Sequence, residues 1–302
     1  MTSLEVEVAP PSPFRLPHYS SEDRTMRVRR GVLSRLLRVG ESPVLARAWE
    51  PARGRVALRA EPVEPDAVAP PRGVPAPPAR PAGAAELRLA LERMRFALGV
   101  DDDLTPFYRR FRRDPLLGPV LRRRPWLRPR RRPWAWEALA WAVVKQLIES
   151  ERAAAIQRRI VARWGPRLGE ERAALRDVPG AETIAGRAPA ELAAMDLSPG
   201  RSLALRAVAG EIAAGRVVPS EADGDARLLA IPEIGPWTVQ CLGLFGRGDP
   251  DSLPAGDLVY LKLVGRLARL GRRATVEEVE ELYAPYEPYR GLAGLWTIGL
   301  YR

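Results

Sequence analysis

Between positions 24 and 60 apolar and polar residues alternate over short runs, RTMRVRRGVLSRLLRVGESPVLARAWEPARGRVALRA, with Gly, Ser and Pro separating them. A period of two broken by turn residues predicts about three strands joined by tight turns. From 86 onward the period changes. ELRLALERMRFAL, WEALAWAVVKQLIES, ERAAAIQRRIVARW, GRSLALRAVAGEIAAG and DLVYLKLVGRLARL carry apolar residues three and four apart with charged residues between them, the spacing of amphipathic helices. Loops with Pro and Gly, such as DVPGAE and MDLSPGR, divide these runs. Residues 61 to 84 hold eight prolines and follow neither period, which predicts a stiff, extended connector. The expected architecture is α+β: a small N-terminal antiparallel β-sheet domain over 1–60, a Pro-rich linker over 61–84 and an all-α domain over 85–302.

Charge narrows the range of partners. Lys plus Arg number 48 against 37 Asp plus Glu, a formal net charge of +11, and Lys145 and Lys262 are the only lysines. A GC-rich genome would account for arginine over lysine, but not for the excess over acids. That excess points to a polyanionic partner. The run LRRRPWLRPRRRPW, 121–134, concentrates the charge, either as a solvated loop or as a phosphate-tracking segment with indole faces nearby.

The chemistry available is limited. One cysteine, Cys241, and one histidine, His18, exclude a disulfide framework, a cysteine-ligated iron–sulfur cluster and a His-rich metal site. Carboxylates, hydroxyls and arginine remain. No apolar run reaches membrane-spanning length, and the start, MTSLEVEVAPPSPF, is acidic and broken by proline. A soluble, cytoplasmic, nucleoid-associated monomer with no membrane partner is expected.

One stretch organises the helical half. DARLLAI has helical spacing, IPEIG is a short turn, and PWTVQCLGLFG begins with Pro236, the residue type favoured at the first helical position. Gly235 supplies the backbone freedom for the turn. The second helix would present N–H groups and the positive end of its dipole to an anion, although any tight turn between helices shows Gly and Pro. LLAIPEIGPWTVQ followed by GDPDSLPAGDL resembles the helix-hairpin-helix, Gly/Pro-rich loop and aspartate signature of the base-excision DNA glycosylase superfamily, specifically its 3-methyladenine glycosylase II (AlkA-like) branch. ERMRFALGVDDDLTPFYRRFRRDPLLGPVL, EALAWAVVKQLIESERAAAIQRRIV, LSPGRSLALRAVAGEIAAG and PYEPYRGLAGLWTI resemble successive segments of that family in order, covering residues 86 to 300.

The resemblance implies a glycosylase that flips alkylated bases, of the 3-methyladenine type, out of duplex DNA and hydrolyses the N-glycosidic bond in base-excision repair. It assigns Asp257 as the catalytic carboxylate, although Asp257 is also well placed to cap the helix that follows. Asp249 and Asp251 are further acids in the same loop. Gln146 and Leu147 are implied as the wedge that fills the vacated stack. Ile234, Gly235 and Thr238 would grip the backbone. Trp237, Trp296, Trp136 and Cys241 would line the base pocket, Cys241 standing at a position where the family has a pocket tyrosine. Trp134 and Tyr289 are further aromatic candidates. No other cofactor is required, but a monovalent cation on the carbonyls of Leu229, Ile231 and Ile234 is implied. WTVQCLGLF contains no lysine, so water is the expected nucleophile and no lyase activity follows. Two departures bear on the site: Glu233 replaces a usual glycine in the turn, and Lys145 replaces a small residue before Gln146. The competing readings are an inactive glycosylase-like DNA binder, a glycosylase for another damaged base, and an arginine-rich RNA binder.

Overall fold

The computed structural model describes residues 2–70, 79–170 and 174–300. Five strands form one antiparallel sheet in the order β1-β5-β4-β3-β2: β1 Leu4–Val8, β2 Met26–Arg29, β3 Val32–Val39, β4 Ser42–Trp49 and β5 Val56–Pro62. In the β3–β4 hairpin Leu36 pairs with Leu45 and Leu37 with Val44, and Gly40 takes the left-handed conformation its turn requires, φ 59°. The alternating pattern shows three of these strands plainly. It hides β1, whose Glu5 and Glu7 interrupt a short apolar series. Cross-strand pairing explains those acids: Glu5 meets Arg59, and Glu7 meets Arg55 at 3.4 Å.

The proline-rich segment is less of a free connector than its composition suggests. β5 runs on to Pro62, and β6 Val68–Ala69 pairs with β7 Arg167–Leu168, which pairs in turn with β8 Leu175–Arg176. Residues 71–78 of that segment lie outside the described residues.

The chain then turns helical: α1 Ala84–Leu98, α2 Thr105–Phe111, α3 Gly118–Arg123, α4 Ala135–Lys145, α5 Ser150–Trp164, α6 Ala181–Ala185, α7 Pro189–Ala193, α8 Pro199–Ala213, α9 Asp225–Leu229, α10 Pro236–Leu242, α11 Leu258–Leu267, α12 Val276–Tyr283 and α13 Arg290–Leu300. Three apolar cores result. Leu87, Leu91, Met94 and Leu98 of α1 close the sheet's inner face with Leu33, Leu37, Val44 and Leu58, so the first helix packs with the strands. A second core gathers α4, α5, α6, α8 and α10 around Trp141, Ile156, Trp164, Leu205 and Leu242. A third joins α2, α3, α11, α12 and α13 through Phe107, Tyr260, Tyr283 and Trp296. The loop from α10 to α11 crosses from the second core to the third, and Asp257 stands at its end.

The sheet is fixed to the helices by buried charge. Arg35 of β3 donates to Glu137 of α4 at 2.5 Å, and Arg132 reaches both Asp23 at 2.6 Å and Glu137 at 2.9 Å. The indole N–H of Trp141 also donates to Asp23 at 2.9 Å. Burial opposes ionisation of Asp23, but Arg132, Arg35 and the hydrogen bonds from Ser21 and Thr25 hold its carboxyl well below the usual range. Asp177, on the same face, goes the other way: burial pushes it up to about 6 against the pull of Arg35.

The basic run 121–134 belongs to this attachment. Arg15 stacks on Trp126 at 3.6 Å and Arg130 on Tyr19 at 4.4 Å. Arg128 donates to Ser12 Oγ at 2.7 Å and Arg131 to Asp102 at 2.5 Å. Arg128, Arg130 and Arg132 thus bind the N-terminal segment and Arg131 an acid after α1, while Arg122 and Arg123 at the start of the run are exposed.

Candidate active site

The hairpin forms where the sequence places it. α9 ends at Leu229, the turn spans Ala230 to Gly235, and Gly235 caps α10 with Pro236 in the first helical position. Ile234 is buried in the second core and anchors the turn. Glu233 adopts φ 70°, the left-handed region that costs an L-residue about 1 kcal/mol and glycine nothing. Its carboxylate lies against Gly200 in the first turn of α8: a Cβ added there would sit 2.7 Å from Glu233 Oε1. The negative charge is thus matched to the positive end of α8.

The grip on a DNA backbone is narrower than the motif implies. The amide of Ile234 donates to the Ile231 carbonyl and that of Thr238 to the Gly235 carbonyl, both at 3.0 Å, so neither is free for a phosphate. Thr238 is 1 % exposed, and its hydroxyl accepts from Gln146. Pro232, Glu233 and Pro236 are the residues this end of the hairpin exposes, with Gly235 half-buried between them.

Gln146 connects the hairpin to the implied wedge. Its side-chain amide donates to the Glu233 carbonyl at 2.8 Å and to Thr238 Oγ1 at 2.9 Å. The next residue, Leu147, is 102 % exposed and has φ 55°. A large apolar side chain standing fully in solvent, on strained backbone, is stabilised by nothing inside the fold.

Across the hairpin, α11 begins at Asp257. Pro254 accepts the Asp257 amide at 2.9 Å, and the Asp257 carboxylate accepts the Val259 amide at 2.9 Å, so it does cap the helix. The cap engages Oδ1 and orients the group. The other loop acids have structural partners: Asp251 accepts from the Arg290 side chain at 2.9 Å, and Asp249 accepts the Asp251 amide at 2.9 Å. Trp237 lies alongside, since a Cβ on Gly256 would fall 3.8 Å from Trp237 Cβ. Cys241 follows one turn later in α10. Burial, and secondly the charge of Asp257, push its thiol well above the usual range, while Lys145 pulls the other way.

Two implied pocket residues are elsewhere. Trp296 is 0 % exposed, edge-on to Phe107 at 5.5 Å within the third core, so no face of it is open to a base. Trp136 sits in the first turn of α4, at the opposite end from Gln146, with its indole N–H donating to the Pro179 carbonyl at 2.9 Å. Aromatic identity on an amphipathic helix says nothing about which side of the helix meets solvent. Of the further aromatics, Trp134 lies under Arg93 at 5.3 Å and Tyr289 packs against Phe107 at 5.5 Å. Conversely, the fold brings in Lys145, which is remote from Asp257 in sequence. Its charge was legible; its destination was not.

A search against family models finds no match. DNA-3-methyladenine glycosylase of Bacillus subtilis is 28 % identical over 182 residues, 58 % of this chain and 60 % of that protein. A probable bifunctional transcriptional activator/DNA repair enzyme AlkA of Mycobacterium tuberculosis is 30 % identical over 178 residues, 57 % of this chain and 35 % of that protein. The chain thus spans less than two thirds of either relative's length. Among solved structures, 3-methyladenine DNA-glycosylase from Archaeoglobus fulgidus superposes with a TM-score of 0.77 at 19 % identity, over 99 % of this chain and 97 % of that one. The 8-oxoguanine glycosylase/lyase of Clostridium acetobutylicum gives 0.62 at 12 % identity, over 90 % and 97 %.

A β-sheet capped by one helix, two helical cores and a hairpin packed into one of them constitute the fold of the helix-hairpin-helix DNA glycosylases. Within that class the sequence is similar to the 3-methyladenine, AlkA-like branch. Among the described residues, no helix is long and apolar enough to cross a membrane.

Proposed function

We propose that this protein is a DNA glycosylase that excises alkylated bases from duplex DNA, acting in the cytoplasm as a monomer. The observation that carries the reading is Leu147, fully exposed on strained backbone and joined through Gln146 to the hairpin. Such a residue suits insertion into a base stack, where its apolar surface leaves water and fills the gap a flipped nucleotide creates. The hairpin would hold the phosphates around Gly235, and Trp237 would stack on the extruded base.

Asp257 would then face the sugar. Rupture of the N-glycosidic bond develops positive charge there, and a carboxylate held by its own helix cap stabilises that charge without reorganising. Its second oxygen can orient the attacking water. Base and abasic DNA are the products, and the absence of a lysine from α10 argues for hydrolysis without strand cleavage.

A monovalent cation would be held by the carbonyls of Leu229, Ile231 and Ile234, hard oxygen donors at the end of α9 and in the turn. The Ile231 carbonyl already accepts the Ile234 amide but retains a second lone pair. Bound there, the ion would add positive charge beside the phosphate grip.

The test is release of bases from duplexes carrying alkylated purines, by wild type and Asp257→Asn, with strand nicking followed in parallel. Release by wild type alone, without nicking, is the expected result. No release by wild type, with duplex binding intact, would leave a DNA-binding protein without the activity.

A further inference from the structure

A charged cleft lies at the far end of α11, outside the site described so far. It has a volume of about 540 Å³, and Lys262, Arg266, Arg269, Arg272 and Arg273 line it over two glycines, with no carboxylate in the lining. All five cationic residues are exposed.

The chain builds this cleft by folding back on the end of α11. Lys262, Arg266 and Arg269 are spaced four and three apart, so they follow one exposed face of the helix and the turn after it. Arg269, φ 53°, and Gly271, φ 67°, then take left-handed backbone. That reverses the chain, and the amides of Leu270 and Ala274 donate to the carbonyls of Gly265 and Leu261, both at 2.9 Å. Gly265 permits the crossing, because a Cβ there would collide with the Arg272 carbonyl oxygen. Arg272 and Arg273 are thereby brought to the same hollow as Lys262 and Arg266. Glu278 holds Arg272 at 2.7 Å, whereas Lys262, Arg269 and Arg273 form no ion pair among the described residues.

A helix C-terminus favours a cation in its last turn, where Arg266 stands. It does not account for three loop arginines converging on the same hollow, where like charges repel. An anion would relieve that repulsion. No aromatic or apolar side chain lines the cleft, so it has no surface on which a base could stack. It matches phosphate, whose oxygens a guanidinium fork engages two at a time.

We propose that this cleft is a second grip on the phosphodiester backbone of DNA, separate from the hairpin and independent of sequence and of damage. The proposal rests on the glycosylase reading above. One helix carries both sites: Asp257 caps the start of α11, and the cleft lies at its other end, about 15 Å along the axis. That length corresponds to about four or five base pairs of duplex. The phosphates reached there flank the flipped nucleotide and are the same whether or not the base is damaged. Such a grip keeps the protein on undamaged DNA between one lesion and the next.

The experiment measures affinity for undamaged and alkylated duplexes as a function of salt. It compares wild type with a cleft variant, Lys262→Gln with Arg269→Asn and Arg273→Gln, and with a control that removes as many exposed charges from the sheet's turns and α1, Arg30→Asn with Arg53→Gln and Arg88→Gln. Asparagine tolerates the left-handed backbone at positions 30 and 269. The slope of log affinity against log salt is expected to become shallower by about 2–3 in the cleft variant and by less than about 1 in the control. Affinity should fall by the same factor on both duplexes. A cleft slope no shallower than the control's overturns the proposal and leaves DNA binding at the hairpin standing. A larger loss on the alkylated duplex overturns it too, by assigning these residues to the lesion site. Failure of wild type to bind any duplex overturns the glycosylase reading and the proposal together. Inorganic polyphosphate is titrated in parallel: if the cleft variant loses polyphosphate but binds duplex as wild type does, the cleft takes a free anion and the DNA grip is refuted. If the triple variant fails to fold, Arg273→Gln alone decides, with a slope change of about 1 expected and an unchanged slope counting against the proposal.

Discussion

Gln146 Nε2 donates to Thr238 Oγ1 and to the Glu233 carbonyl, at 2.9 and 2.8 Å, so one amide at the end of α4 ties the hairpin turn and the first turn of α10 to the Leu147 loop. In the proposed mechanism a wedge at Leu147 and a turn that holds the DNA backbone must keep a fixed separation, and this amide links the two segments.

Gln146→Ala removes both donors and leaves the buried Thr238 hydroxyl without its partner. A loss of about 1–3 kcal/mol in folding stability is expected, together with weaker binding to lesion duplexes. Thermal unfolding and duplex titration check the two effects separately.

Leu147 should behave in the opposite way. Nothing in the fold holds its side chain, so Leu147→Gly is expected to leave stability unchanged or raise it by about 1 kcal/mol by releasing left-handed strain. Base release should nevertheless fall, and fall further for a base in a fully paired duplex than for one opposite a mismatch, where less unstacking is needed. Equal losses on both substrates would contradict the wedge role.

For Asp257, the cap and the proposed chemistry separate by substitution. Asparagine caps as well as aspartate, so Asp257→Asn should unfold within about 0.5 kcal/mol of wild type. Its excision rate should drop by about a hundredfold or more, because the amide carries no charge to offset the developing cation. Asp257→Ala should lose the rate and also about 1 kcal/mol of stability.

Asp177 gives a prediction in pH. Its folded-state value, about 6, lies above the unfolded 3.8, so the folded protein binds this proton more tightly. Its contribution is therefore present below the unfolded value and is lost as pH rises toward 6. Asp177→Asn should flatten that part of the stability–pH curve, measured by urea unfolding across the same interval; a slope equal to wild type would assign it to other groups.

The sequence carried the change of period, the hairpin with its Pro and Gly, and the place of the acid before α11, because each rests on local backbone chemistry. It did not carry β1, whose acids are explained only by Arg59 of β5 and Arg55 just before it. Nor could it show which tryptophans face a pocket. Trp237 is placed by a turn, whereas the burial of Trp296 depends on Phe107 arriving from α2. Lys145 was visible as a departure, but its proximity to Cys241 arises from helix packing. The basic run illustrates the same limit, since its partners, Ser12, Tyr19 and Asp23, lie more than a hundred residues earlier.

That separation has a consequence for biosynthesis. Asp23 is neutralised by Arg132, 109 positions further along the chain, and Arg35 by Glu137, 102 positions on. While the ribosome has released only the strands, these charges have no counterparts and the face they occupy must stay hydrated. The attachment of the N-terminal sheet to the helices is therefore completed only once Arg132 and α4 have emerged.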